Sequence, residues 1–263
     1  MKRFFSLLGI ILSLLILTSC GSKKIEGKVE DVFGNPLSNV KVKIDKSTFS
    51  TTTNSSGEYS IDYAPGNIKL YFIKDGYTTQ TLTLNIQQKS KYPAEKIVLY
   101  PIPKERGMYY VDFDKKRLVK LNINGSIKYD YKTDNFFSWK TEEKYFLVIN
   151  KSIPILKSGN IIFIDTTSFK FGLMNVNNQN IFLHVAIHHP SNDDVLYGNN
   201  INEKYLEVSN GSNIKVRFAH LQQGKYAFID YIDKKYMGGK EITIPHKNGV
   251  GIVFNVSNNL KKN

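Results

Sequence analysis

Cysteine is almost missing from this chain: Cys20 is the only one in 263 residues. No internal disulfide can form, so apolar burial and strand pairing must hold the fold. Arginine is scarce as well, and beyond residue 19 only Arg106, Arg117 and Arg217 remain. Readers of phosphates and bases use the planar guanidinium fork. The lysines here are instead scattered singly and in pairs among Asp and Glu. The net charge of +13 therefore reads as a compositional bias toward Lys, Asn, Ile, Tyr and Phe, compatible with AT-rich codons, and no nucleic-acid partner is expected. Beyond residue 20 no apolar run approaches the roughly 20 residues a spanning helix needs. No segment there shows an apolar stripe of helical period with caps. Also lacking are a Gly-x-Ser-x-Gly elbow, a phosphate-binding glycine loop and a calcium loop of the Asp-x-Asp-x-Asp-Gly type. These absences lower the expectation of an enzyme and of any cofactor or metal.

The first residues are different. Lys2 and Arg3 precede an apolar stretch from Phe4 to Leu17, interrupted only by small residues such as Ser6, Gly9 and Ser13. Thr18 and Ser19 then offer side chains small enough for a signal peptidase. Basic n-region, short apolar h-region and small-residue cleavage site form the three-part layout of a secretory signal. The stretch is too short to span a bilayer.

Leu17-Thr18-Ser19-Cys20 resembles the lipobox of bacterial lipoproteins. The resemblance implies cleavage before Cys20, a diacylglycerol on its thiol and fatty acyl groups such as palmitate. Residues 1–19 are then a signal peptide and 20–24 a tether. Two or three chains anchor a protein stably where one holds it only marginally, so the lipid bilayer is the first expected partner. Gly21 stands where an aspartate would retain the protein in the inner membrane. By that rule the address is the outer membrane, on its periplasmic or surface face.

From Ile25 onward the chain reads as short strands and turns. Val40, Val42 and Ile44 alternate with Lys41 and Lys43, giving one apolar and one wet face. Gly34-Asn35-Pro36, Asn54-Ser55-Ser56-Gly57, Pro65-Gly66 and Asp75-Gly76 are turn signals. Strands are expected at Ile25–Val32, Glu58–Tyr63, Ile68–Phe72, over Leu82, Leu84 and Ile86, and at Ile97–Leu99. Tyr100-Pro101-Ile102-Pro103-Lys104 favours an extended, stiff connection, placing domains at 25–100 and 105–263 with a linker at 101–104.

Four motifs carry a family resemblance. Gly27-Lys-Val-Glu-Asp-Val-Phe-Gly34-Asn-Pro36 leads into Val40-Lys-Val42, and Thr53-Asn-Ser-Ser-Gly57-Glu-Tyr59-Ser-Ile61 follows. Pro65-Gly66 and Gly76-Tyr77 mark later turns. This order resembles carboxypeptidase regulatory-like domains. The resemblance implies a seven-stranded, transthyretin-like β-sandwich, within a wider group described as a carbohydrate-binding-like fold. Members are non-catalytic appendages with no shared catalytic residues. Related hydroxyisourate hydrolases end in Tyr-Arg-Gly-Ser, whereas this domain ends Ile97-Val-Leu-Tyr100, so that activity is not implied.

Residues 105–263 resemble no named family, but their pattern is again β. Asn124-Gly125 and Asn248-Gly249 each lie between strand-like runs and predict two-residue hairpins, because both turn positions favour φ > 0. Leu221-Gln-Gln-Gly224-Lys-Tyr226 resembles a tyrosine corner, in which a phenol bonds backbone upstream. Further strands are expected at 108–113, 117–123, 146–149, 161–165, 181–188, 214–220 and 226–231. The whole chain is thus expected to be all-β, a seven-stranded sandwich followed by a larger antiparallel sandwich.

Candidate chemistry is thin. His184 and His188 are four apart, but Val185 stands where a zincin needs Glu. On a strand both share one face opposite Leu183, Val185 and Ile187, and no third ligand is evident. His189, His220 and His246 complete the histidines. Asp112 with Asp114, Asp193 with Asp194, and Asp230 with Asp233 are carboxylate pairs, and such pairs are commonly solvated turn residues. Asn135-Phe136-Phe137-Ser138-Trp139-Lys140 could present Trp139 to a sugar face or anchor a loop onto the core. Three functions are therefore expected in order: a non-catalytic envelope lipoprotein for protein contact or scaffolding, a carbohydrate-binding surface lipoprotein using Trp139, and a hydrolase within 105–263.

Overall fold

The computed structural model describes residues 23–86, 91–93, 96–133, 140–176, 181–188, 195–197, 204–209, 213–237 and 240–258. Contacts divide the chain into two compact units that part between Ile102 and Pro103. Strands and turns make up both units, and no helix occurs among the described residues.

The first unit holds β1 (Lys24–Asp31), β2 (Lys41–Ile44), β3 (Ser50–Thr52), β4 (Glu58–Asp62), β5 (Gly66–Ile73), β6 (Gln80–Ile86), β7 (Lys91–Pro93) and β8 (Ile97–Leu99). One sheet is ordered β4-β1 with β7 and β8 along the other side of β1, and the second is β3-β2-β5-β6. There are eight strands where seven were expected. The last edge is split: Lys24–Glu26 pair with β7 and Val29–Asp31 with β8, both in parallel. Alternation decides which side chains enter the core. Val42, Ile44, Ile68, Leu70 and Phe72 from one sheet meet Ile25, Val29, Tyr59, Ile61 and Leu99 from the other.

Two turns fix this sandwich. Gly57 has φ +77, and an added Cβ would lie 2.4 Å from the Val29 carbonyl oxygen. Asn54 Oδ1 accepts from the Ser56 and Glu58 amides at 2.9 Å each. After β1, Asp31 Oδ1 accepts from the Phe33 and Asn35 amides at 2.8 Å, closing the loop around Gly34.

The second unit holds β9 (Met108–Asp112), β10 (Arg117–Leu121), β11 (Gly125–Thr133), β12 (Lys140–Ile149), β13 (Ile155–Lys157), β14 (Gly159–Asp165), β15 (Phe171–Asn175), β16 (Ile181–His188), β17 (Val195–Tyr197), β18 (Lys204–Ser209), β19 (Asn213–Leu221), β20 (Gly224–Met237), β21 (Lys240–Pro245) and β22 (Val250–Ser257). A five-stranded sheet runs β10-β9-β14-β19-β18. A nine-stranded sheet runs β15-β20-β22-β11-β12-β16-β17, with β13 beside β22 and β21 beside β20. Phe163 and Leu221 of the first sheet pack with Phe171, Phe228 and Phe254 of the second. The Phe163 and Phe228 rings meet edge-on, 4.9 Å apart, an arrangement that suits the aromatic quadrupole. A further cluster of Ile127, Leu147, Met174, Ala227, Ile229 and Val253 is buried on the other face of the nine-stranded sheet.

Neither Asn-Gly pair makes a hairpin. At Asn124-Gly125 the chain leaves the five-stranded sheet and joins the nine-stranded one, so β10 and β11 do not pair. Asn124 is a buried clamp instead. Its Oδ1 accepts from the Val253 amide at 2.7 Å, and its Nδ2 donates to the Val253 and Ser152 carbonyls at 2.8 and 3.2 Å. At Gly125 the fit is tight, since a Cβ would sit 3.1 Å from Leu147 Cδ1 and 3.4 Å from the Val148 carbonyl oxygen. Asn248-Gly249 interrupts a line of pairing. Both β21 and β22 run antiparallel to β20, one against its second half and the other against its first. The tyrosine corner is present: Tyr226 Oη donates to the Gln222 carbonyl at 3.0 Å, where the chain passes from β19 in one sheet to β20 in the other.

Candidate functional site

In the second unit a cavity of about 430 Å³ opens where four segments converge: residues before β9, after β10, between β14 and β15, and after β12. This volume falls in the range of about 300–1,000 Å³ seen for small-molecule sites. Its floor is Met108, Leu121, Phe171 and Ile252, all members of the inter-sheet core or its continuation. Its rim carries Arg106, Lys120 and Lys151, the hydroxyls of Thr167 and Ser168, and exposed Phe169 and Ile123. No carboxylate lines it.

Local bonds set this rim. Gly107 and Thr166 are bonded in both directions: the Thr166 amide donates to the Gly107 carbonyl at 3.0 Å, and the Gly107 amide donates to the Thr166 side-chain Oγ1 at 2.9 Å. Next to it, Asp165 Oδ1 accepts from the Thr167 amide and hydroxyl at 2.9 and 2.7 Å. Arg217 holds the other oxygen, with Nη2 to Oδ2 at 2.9 Å, and both side chains are 3% exposed. The same guanidinium lies 5.6 Å from the Phe228 ring centre. On the opposite side Tyr109 Oη donates to the Glu105 carbonyl at 3.0 Å. Lys120 Nζ bonds Glu105 at 2.7 Å. That bond holds the Glu105 carboxyl below its ordinary range and raises Lys120. Arg106 and Lys151 have no ion-pair partner among the described residues.

The first unit offers a different surface. Lys41, Lys43, Lys69, Thr52, Thr81 and Thr83 are exposed on the outer face of the β3-β2-β5-β6 sheet. Tyr71 sits among them, with the Lys43 and Lys69 ammonium groups 5.3 and 5.2 Å from its ring centre. Asp45, just past β2, is the carboxylate that joins this face in register with Lys69. A wider groove of about 1010 Å³ mixes Glu26 and Glu58 with Lys28 and Lys96, so its charges largely balance.

The expected site residues fare unevenly. Cys20 and Trp139 lie outside the described residues, as do His189, Asp193 and Asp194. His184 and His188 do lie on a strand, β16, in register with Lys144 and Lys140 of β12. His220 is exposed and its Nδ1 bonds Asn160 Oδ1 at 2.8 Å. Asp112 accepts from the Lys115 amide at 3.1 Å, and Asp114 lies 3.8 Å from Lys157, as turn carboxylates do. Asp230 is buried, and burial raises its carboxyl above the ordinary range, partly offset by the nearby His246. Among the described residues no group of three His, Cys, Asp or Glu could hold a metal ion. The Asp165–Arg217 pair was not anticipated. Its signal is that Asp165 continues the inward series Ile161, Phe163, while Arg217 continues Leu221, Ala219, each a charge at an apolar position.

Residues 24–99 match the family model of the carboxypeptidase regulatory-like domain, and the first unit is a domain of that family. The match spans under a third of the chain. No curated protein matches the chain. Among solved structures, a type II cohesin–X-dockerin complex from Acetivibrio cellulolyticus aligns at 20% identity and TM-score 0.27, over 30% of this chain and 58% of the other. A streptococcal ancillary pilin aligns at 13% identity and TM-score 0.25, over 91% of this chain and 62% of the other. The chain therefore spans less than two thirds of either protein's length. A membrane-associated protein of unknown function from Bacteroides fragilis aligns at 10% identity and TM-score 0.24, over 88% and 97%. Likeness at this level bears on neither site nor partner. Among the described residues no helix is long and apolar enough to cross a membrane.

Proposed function

We propose that this chain is a non-catalytic lipoprotein of the bacterial cell envelope, anchored through acylated Cys20 and presenting β-sandwich units for contact or scaffolding. The observation that carries the reading is the sequence Leu17-Thr18-Ser19-Cys20 behind a short apolar segment with a basic start. The regulatory-like family of residues 24–99 supports it, because such domains resemble appendages that display surface rather than perform chemistry. The lysine- and threonine-bearing face around Tyr71 suits an envelope partner of net negative charge. By the residue after Cys20 the anchor belongs to the outer membrane. The test is metabolic labelling with a fatty-acid probe together with detergent-phase partitioning. Wild type incorporates label and enters the detergent phase, whereas Cys20→Ala does neither. Label retained in Cys20→Ala, or absent from wild type, sinks the anchor.

A further inference from the structure

We propose that the cavity of the second unit binds a small anionic amphiphile, with a carboxylate or phosphate head at the rim and an apolar body on the floor. The floor is the open end of the inter-sheet core: Met108, Leu121 and Phe171 are each 2% exposed or less, yet all line the cavity. An apolar body laid there continues the core and leaves water, which is the driving force for such burial. Phe169, 38% exposed, and Ile123, 39% exposed, extend the apolar surface to the rim. Large apolar side chains are placed in water at the mouth of an apolar cavity, a combination that marks binding surfaces.

Charge selects the head. Arg106, Lys120 and Lys151 line the cavity without any lining carboxylate. Lys120 already engages Glu105, so Arg106 and Lys151 are the cations left to meet a ligand. A guanidinium can bond a carboxylate or phosphate with two donors, and low-dielectric walls strengthen the attraction. The hydroxyl of Ser168 adds a neutral donor, while that of Thr167 is already given to Asp165. The loop that carries them is held by Asp165, which Arg217 fixes from within the core. The rim is therefore built before a ligand arrives, and little ordering opposes binding.

The test is calorimetric titration of the full chain in zwitterionic nanodiscs, with empty nanodiscs as blank, using octanoate, hexanoate, octyl phosphate, octanol and inorganic phosphate. Octanoate or octyl phosphate should bind at least about tenfold more tightly than octanol, and the tighter of the two identifies the head. Hexanoate should be weaker than octanoate, by up to about fourfold per lost methylene. Arg106→Gln with Lys151→Gln, both exposed positions, should weaken octanoate about tenfold and leave octanol unchanged. Phe169→Ala should flatten the chain-length dependence. The proposal is overturned by equal affinity for octanol and octanoate, by inorganic phosphate binding as tightly as octyl phosphate, by an inert double variant, or by no binding at millimolar ligand. None of these outcomes depends on whether Cys20 is acylated.

Discussion

Asp165 and Arg217 are charges shut away from water, and their cost is offset only while both are present. Arg217→Met leaves the buried Asp165 carboxylate with only the Thr167 donors. The expected loss in urea unfolding is about 3–5 kcal/mol, the range for breaking a buried pair from one side. Asp165→Leu added to Arg217→Met should recover most of that loss, because an apolar replacement of the whole pair removes the stranded charge. A single variant that unfolds like wild type refutes the buried-pair account. Asp230 is charged at a cost of another kind. Burial raises its folded-state pKa, so the folded state holds this proton more tightly than the unfolded state. The group's contribution to stability is full below the ordinary carboxylate range and is lost as pH rises through the raised value. At neutral pH the ionised carboxylate opposes the fold, so Asp230→Asn should raise Tm at pH 7 and give a shrinking gain as pH falls toward 3. A gain that stays constant with pH would contradict this assignment. In sequence the Asp165–Arg217 pair shows only as two charges that continue inward apolar series, and that they meet is not legible until β14 is known to pair with β19.

Glycine and asparagine show how far local patterns define elements. At Gly57 the turn signal was sound, and the reason is both conformation and space. Its φ is +77 and a Cβ would meet the Val29 carbonyl oxygen at 2.4 Å. Gly34 has φ +82 but nothing within 4 Å of an added Cβ. The same backbone angle with different surroundings separates the two effects. Gly34→Ala should cost only about 1 kcal/mol, the left-handed penalty alone, while Gly57→Val should cost clearly more, at least about 2 kcal/mol, because the clash adds to that penalty. Thermal unfolding of both variants decides it, and equal losses would mean that the close approach to Val29 is relieved without effort. Asn124-Gly125 carried the same kind of signal and misled. Dipeptide chemistry reports what a backbone tolerates locally. It does not report that β10 and β11 belong to different sheets, or that Asn124 bonds Val253 far along the chain. The strand at β15 (Phe171–Asn175) escaped notice because four successive residues are buried, which removes the alternation by which strands are read. Strands with one wet face, such as β4 with its strict exposed-buried pattern, were legible for the opposite reason.

At the scale of the whole chain, burial sorts into separate cores. Every member of the first core lies between Ile25 and Leu99, and every member of the other two lies between Met108 and Val256. A segment with its own closed core should fold by itself. The backbone bonds at its end support this, since the Ile102 amide donates to the Gly76 carbonyl and the Thr78 amide to the Tyr100 carbonyl, each at 2.8 Å. Those bonds fasten the last residues of the unit to its own turn after β5, so a fragment should extend through Ile102 rather than stop at Leu99. Residues 23–102 are expected to give a monomeric β-protein with one cooperative thermal transition. A fragment of residues 23–99 should melt lower, since it lacks both bonds and the buried Tyr100 ring. Carrying Gly57→Val into the longer fragment should destabilise it by the same free energy as in the full chain, because the nearest atoms an added Cβ meets, on Val29, Pro36 and Leu37, all belong to the unit. Circular dichroism melts of the three fragments beside the full chain make the comparison. A 23–102 fragment without a cooperative transition would show that its core is incomplete, and a Gly57→Val effect that differs between fragment and full chain would show that residues beyond Ile102 support that turn.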